Sequence, residues 1–200
     1  MTAQSAGLTI GVMGSSQLAE DPTEASRLEE LARRLGGAIA DRRCILVTGA
    51  TTGYPDLVSR ASRSRGGMTV GISPAESREE HASRYSLPDD GANTIIYTGF
   101  GLKGRNVINV RSSDIVIVFG GGIGTLNEFT IAWDEGKIIG ILEGTGGVTE
   151  QISEVVKLAG RRRGEHRGAD PLLVRETEPE KLLDACLKIW RRQGSTIQTD

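Results

Sequence analysis

The stretch Asp114-Ile-Val-Ile-Val-Phe119, followed by Gly120-Gly-Gly-Ile-Gly-Thr125 and then Leu126-Asn-Glu-Phe-Thr-Ile-Ala-Trp-Asp134, decides the fold. Its first part is a continuous β-branched apolar run, not an alternating one. A strand of that kind is apolar on both faces, so it belongs in a parallel sheet covered by helices on each side. The glycines permit a tight turn, and Thr125 to Asp134 then reads as a helix. Strand, glycine turn and helix make one half of a parallel crossover.

The same unit recurs in both directions along the chain. Further apolar runs are Leu8–Met13, Cys44–Val47, Met68–Ile72, Thr94–Tyr97, Ile138–Leu142 and Leu172–Val174. Between most of them lie helical patterns, at Pro22–Ala40, Pro55–Arg65, Leu102–Arg111, Thr149–Ala159 and Glu180–Arg191. In the first, Ala25, Leu28, Leu31, Ala32, Leu35 and Ile39 form a stripe at three- and four-residue spacing, with Asp21 as N-cap and Pro22 at the first helical position. This alternation predicts an α/β protein with right-handed crossovers, about seven mostly parallel strands and helices on both faces. Residues 1–193 are read as one domain and 194–200 as a flexible tail. The stretches 73–92 and 160–170 show no regular pattern; the second carries Arg161, Arg162, Arg163, His166 and Arg167 and reads as a solvated loop.

Composition narrows the function classes. The 200 residues include 27 glycines but only three Phe, two Trp and three Tyr. A stacking platform for single-stranded nucleic acid would need more rings. Net charge is −2, so no polyanion binder is expected, and hence no nucleic-acid partner. Two cysteines, Cys44 and Cys186, and two histidines lack zinc-ligand spacing, so no metal is predicted. No apolar run is long enough to span a membrane, and Met1 to Gly7 lacks the pattern of a secretory signal, so a cytoplasmic protein is expected.

The glycines follow the strands. Clusters occur at Gly14-Ser15-Ser16, at Thr48-Gly49 through Gly53, at Gly99 through Gly104, at Gly120 through Thr125, and at Gly144 through Gly147. In an open parallel sheet the strand C-terminal ends share one edge, and ligands bind there where strand order reverses. Glycines on that edge let backbone N–H groups approach an anion, and the following helix N-termini favour negative charge. A phosphate-bearing small molecule is therefore the expected ligand. Gly36-Gly37 and Gly66-Gly67 are read instead as helix-end and turn glycines. The P-loop pattern is absent, so a P-loop ATPase is excluded, and Gly11-Val-Met-Gly14 is not the classical dinucleotide fingerprint.

The run Phe119-Gly-Gly-Gly-Ile-Gly-Thr-Leu-Asn-Glu128 resembles the P-G-G-x-G-T-x-x-E signature of the Lonely Guy (LOG) family, many of whose members were formerly labelled lysine decarboxylases. Gly104-Arg105-Asn106, with Arg111, resembles that family's E-R-K segment and the arginine six residues later. Gly120 stands where the family has proline, and Gly104 and Asn106 replace its glutamate and lysine. These departures look more like the molybdenum-cofactor carrier branch of the superfamily. The resemblance implies a Rossmann-like, doubly wound fold and a homodimer or homotetramer whose neighbouring subunits wall the site. It also implies phosphoribohydrolysis of a nucleoside 5′-monophosphate, with no cofactor. Carried across, Gly121, Gly122, Gly124 and Thr125 would cradle the phosphate, and Arg105 and Glu128 would be the catalytic pair. Gly14, Ser15, Ser16, Thr48, Gly49 and Gly53 complete the expected ligand-binding set. A carboxylate beside the sugar suits an oxocarbenium-like transition state. The alternative is a carrier or sensor that holds a phosphorylated pterin without turnover. Trp133 and Asp134 are read as packing and surface, His81 as a loop bystander, and Tyr54 as either a base stack or helix-start packing.

Overall fold

In the computed structural model, residues 7–160 and 172–196 are described. Seven strands form a single, wholly parallel sheet. They are β1 (Thr9–Gly14), β2 (Ile45–Thr48), β3 (Thr69–Ser73), β4 (Thr94–Tyr97), β5 (Ile115–Phe119), β6 (Ile138–Leu142) and β7 (Leu173–Glu176). Their spatial order is β4-β3-β2-β1-β5-β6-β7. The chain winds outward from β1 to one edge, then returns to the other side of β1 as β5. This is a doubly wound, Rossmann-like α/β fold, and its reversal point lies between β1 and β5.

The helices are α1 (Pro22–Asp41), α2 (Tyr54–Ser64), α3 (Arg78–Ser83), α4 (Gly101–Arg111), α5 (Ile123–Asp134), α6 (Ile152–Ala159) and α7 (Pro179–Thr196). The α1 start follows the sequence reading: the Asp21 carboxylate accepts from the Glu24 N–H at 2.8 Å, with Pro22 behind it. Side chains along β5 alternate between two cores, as the two-residue period of a strand requires. Ile115, Ile117 and Phe119 face the cluster built with α1, α2 and α7. Val116 and Val118 face the other, with Phe129, Ala132 and Trp133 of α5. All five are fully buried, which is why the run is apolar without alternation. Cys44 and Cys186 are buried free thiols, and burial pushes Cys186 up to about 12.

Four details depart from the sequence reading. Residues 73–92 are not patternless: they hold α3, whose Ser77 side chain caps the Glu80 N–H while Glu80 accepts from the Glu76 N–H. His81 is no loop bystander. It is fully buried, with Nδ1 2.8 Å from the Ser73 hydroxyl and Nε2 donating to the Pro88 carbonyl at 3.0 Å, so it pins α3 and the following loop to β3. The helix expected over 149–159 begins as a 3₁₀ turn (Gly147–Gln151) before α6. Gly36 and Gly37 lie inside α1, not at its end. The arginine-rich 161–170 segment and residues 197–200 lie outside the described residues, while the α7 backbone continues to Thr196.

Gly36 explains how α1 packs so closely on α2. A Cβ there would meet Ala61 Cβ at 2.9 Å and the Ser62 amide nitrogen at 3.0 Å. Neither the α2 backbone nor a buried methyl can withdraw freely. Gly36→Val is expected to destabilise the fold by about 1–3 kcal/mol through overpacking. Urea unfolding should show a lower midpoint with an unchanged slope. An unchanged midpoint would contradict this account of the α1–α2 contact.

Candidate functional site

A cavity of about 390 Å³ opens at the C-terminal ends of β1 and β5, where the strand order reverses. Four chain segments wall it. After β1 come Gly14, Ser15, Ser16 and Gln17; after β2, Gly49, Thr51 and Pro55. Helix α4 supplies Leu102, Lys103, Arg105, Asn106 and Asn109, and the start of α5 supplies Gly122, Gly124, Thr125 and Glu128.

Helix α5 begins at Gly122, which has no side chain to cap the exposed first-turn amides. Those N–H groups and the positive end of the helix dipole are thus available at the cavity wall. Thr125 is buried beside them. The preceding loop is held from the other side. The Gly120 N–H donates to Thr145 Oγ1 at 2.9 Å, and the Val148 N–H donates to the Gly121 carbonyl at 2.7 Å. Gly121 sits at φ +88°, a backbone setting that favours glycine.

One turn beyond Thr125, Glu128 forms an ion pair with Arg105 on α4, Nη1 to Oε1 at 3.2 Å. Both side chains are only 7% exposed. Asn109 Nδ2 donates to the same oxygen at 3.1 Å and lies 3.0 Å from Met13 Sδ on β1. Burial pushes the Glu128 carboxyl above the usual glutamate range, and Arg105, Asn109 and Lys103 pull it partly back. Burial likewise pushes the Arg105 guanidinium down from its ordinary value, against the attraction of Glu128. Arg105 Nε and Asn109 Oδ1 are buried with no hydrogen-bond partner among the described residues. An arginine can donate five hydrogen bonds, and this one has a single protein acceptor among the described contacts.

Gly49 sets the position of that arginine. A Cβ at residue 49 would collide with the Arg105 guanidinium, so glycine here lets the charged plane lie against the β2 loop. Of the residues expected at the site, Gly14, Ser15, Ser16, Gly49, Arg105, Gly122, Gly124, Thr125 and Glu128 line the cavity. Thr48, Gly53 and Gly121 do not. Thr48 is buried behind the β2 loop, with its hydroxyl facing the Ala50 N–H at 3.4 Å. Gly53 is the N-cap of α2, packed close to the Ser15 carbonyl. Tyr54 is also away from the cavity; its ring stacks on Phe119 at 5.0 Å and its hydroxyl accepts from the Ala19 N–H. Among the described residues, no group of three or more His, Cys, Asp or Glu could hold a metal ion, and no helix is long and apolar enough to cross a membrane.

The sequence reading missed Gln17, Thr51, Lys103 and Asn109. A signal was present for α4. Its buried residues are Arg105, Asn106, Asn109 and Val110, while Leu102 is half exposed. Polar residues at 105, 106 and 109, positions i, i+1 and i+4 of the inward-facing stripe, mark a helix that faces a site rather than a core.

The family model of the SLOG cluster4 family matches residues 7–170, and the chain belongs to that family. An uncharacterized protein of Archaeoglobus fulgidus is 34% identical over 136 residues, 68% of this chain and 80% of its own length. The cytokinin riboside 5′-monophosphate phosphoribohydrolase of Mycobacterium tuberculosis is 37% identical over 121 residues, 60% of this chain. That match covers 61% of the mycobacterial protein, less than two thirds. Among solved structures, the molybdenum cofactor binding protein of Rippkaea orientalis has a TM-score of 0.68 at 27% identity, covering 93% of this chain and 96% of that one. The Moco carrier protein of Chlamydomonas reinhardtii shares the fold, with a TM-score of 0.69 at 24% identity, covering 92% of this chain and 99% of that one.

The lowered acidity of the buried Glu128 carboxyl makes a prediction about stability. A carboxyl whose folded value lies above its unfolded value binds its proton more tightly in the folded state. Stability therefore falls as pH rises from the unfolded value, ordinarily 4.5, through the folded one. Glu128→Gln removes this dependence. Wild-type stability measured against the variant is expected to decline as pH rises through that window, and urea unfolding at several pH values checks it. A difference that is flat with pH would contradict the assignment.

Proposed function

We propose that this SLOG cluster4 protein is a nucleoside 5′-monophosphate phosphoribohydrolase, which splits the N-glycosidic bond to give a free base and ribose 5-phosphate. The observation that carries the reading is the buried Arg105–Glu128 pair set one helical turn from the uncapped start of α5, both in one cavity. Such a turn spans about 5 Å along the axis, which suits a 5′-phosphate at one end and a ribose C1′ near the other. The family, and the name of the mycobacterial relative, support the reaction class.

In this reading the 5′-phosphate rests on the amides of Gly122, Gly124 and Thr125. As the bond from C1′ to the base nitrogen lengthens, its electron pair leaves with the base and positive charge develops on the ribosyl ring. Ionised Glu128 stabilises that charge across the cavity, where low dielectric strengthens the attraction. Water adds to C1′. Glu128 takes the proton that the water loses, and the departing base takes up that proton in turn. The upward push on the Glu128 carboxyl suits this duty, because a base with a value nearer the working pH accepts a proton more readily. Arg105 and Asn109 hold the carboxylate through Oε1. A cytoplasmic location and a homodimer or homotetramer whose subunits wall the cavity belong to the same proposal.

A second reading is favoured by the Rippkaea orientalis protein, which matches over almost its whole length and is named for binding molybdenum cofactor. In that reading the same cavity holds a phosphorylated pterin and does not turn it over.

The test is base release from a panel of purine and pyrimidine nucleoside 5′-monophosphates by the purified protein, followed by chromatography. Activity is expected, and Glu128→Gln should lower kcat by about 10²–10⁴-fold, the usual reach of a positioned acid–base group. Activity should also fall on the acid side as Glu128 protonates, with a midpoint above the ordinary 4.5. No release from any nucleotide, together with a phosphorylated pterin that copurifies, would reject hydrolysis in favour of carriage.

A further inference from the structure

Lys103 occupies an unusual electrostatic position. It is exposed, lies in the first turn of α4 and lines the cavity. Its Nζ is 4.0 Å from where a Cβ on Gly124 would stand, so the ammonium hangs over the first turn of α5. That is the positive end of the helix. The helix end repels a cation there, the reverse of the usual preference for Asp or Glu, and Glu128 offsets this only in part. Lys103 has no hydrogen bond or ion pair among the described residues. Arg105, nine-tenths buried, adds a third positive group to the same cavity and has an orphaned Nε. Among the described residues Glu128 is the one acidic residue in the cavity lining, and Arg105 and Asn109 already engage its Oε1.

Three sources of positive potential thus converge with a single carboxylate to offset them. Water screens the exposed ammonium, so the arrangement is tolerable empty. It becomes favourable when an anion enters between Lys103 and the α5 amides. The two sides differ in kind. Backbone amides fix the position of oxygen atoms, while a lysine on a flexible stem follows charge. A phosphomonoester carries a charge of about −1.5 to −2 at neutral pH and three acceptor oxygens, enough to satisfy both.

We infer that Lys103 is a specificity-determining residue of the site: it closes over the phosphate held by the start of α5 and selects phosphorylated ligands over their unphosphorylated counterparts. The inference rests on the phosphate placement of the proposed function but not on hydrolysis, since a carrier would need the same grip. Lys103 touches the charged end of the ligand and has no part in breaking the bond.

Calorimetric binding of ribose 5-phosphate, inorganic phosphate and ribose to wild type, Lys103→Met and Lys103→Arg tests it. Lys103 is exposed, so neither variant threatens folding. Wild type is expected to bind ribose 5-phosphate far better than ribose. Lys103→Met should weaken ribose 5-phosphate binding by about tenfold or more, equivalent to about 1.4 kcal/mol, the scale of one charge-assisted hydrogen bond. Inorganic phosphate should weaken in parallel, ribose should not change, and Lys103→Arg should stay within about threefold of wild type, because the charge is kept. Equal binding of ribose 5-phosphate by Lys103→Met and wild type would overturn the inference. So would a wild type that does not prefer ribose 5-phosphate to ribose. Lys103-dependent phosphate binding with no base release would uphold Lys103 while rejecting the hydrolase reading.

Discussion

A right-handed crossover returns a chain to a parallel sheet on one side only, and a doubly wound sheet changes that side once. Here the change falls between β1 and β5. The helices that follow β1 and β5 leave toward opposite faces, α1 into one core and α5 into the other. The gap between the two strand ends is left open there, as the cavity. The geometry of the site follows from that constraint. Gly14 at the end of β1 and the glycine turn after β5 form adjacent lips, and α4, arriving from the sheet edge, supplies the third wall.

The charges in this gap are placed where burial is costly. An ion pair as enclosed as Arg105–Glu128 gains little net stability, because desolvation offsets most of the attraction. Its hydrogen bonding is also incomplete among the described residues, with Arg105 Nε and Asn109 Oδ1 unpartnered. A core built only for stability would favour apolar residues at 105, 109 and 128. Burial shifts both groups away from their charged forms, and buried, shifted groups in a cleft mark a candidate functional site. The same logic joins Glu128 to Lys103. One is a carboxylate made less acidic by burial, the other a cation set against a helix end that repels it. In the proposed function each is eased by a phosphorylated sugar, which brings positive charge developing at the ring and negative charge on the phosphate.

The glycine excess divides by mechanism. At Gly49 the missing side chain admits a guanidinium, and at Gly36 it admits a neighbouring helix. The cluster after β6 does not reach the ligand edge directly. It braces the loop after β5, through Thr145 and Val148, and so acts on the site at one remove. Composition could register the surplus but could not assign these separate uses, because close approach is a property of two segments and not of one.

Strand and helix positions were legible because they depend on local periodicity. The continuous run at Ile115–Phe119, the stripe from Leu28 to Ile39 and the Asp21-Pro22 start each state their environment within a few residues. The short α3 was missed: its one local signal, Ser77 three residues before Glu80, was obscured by the polar residues around it. The sequence by itself therefore determined an α/β chain with glycine turns after its strands and a Thr125–Glu128 helix start. Tertiary structure alone decided which of those turns meet. The order of strands in the sheet brings residue 49 against residue 105, and residue 103 over residue 124, across separations that no periodicity encodes. It also decided that Asn109 supports Glu128 while Thr48, Gly53 and Tyr54 turn away. Local hydrophobic pattern says which face of an element is covered, but only packing says by what.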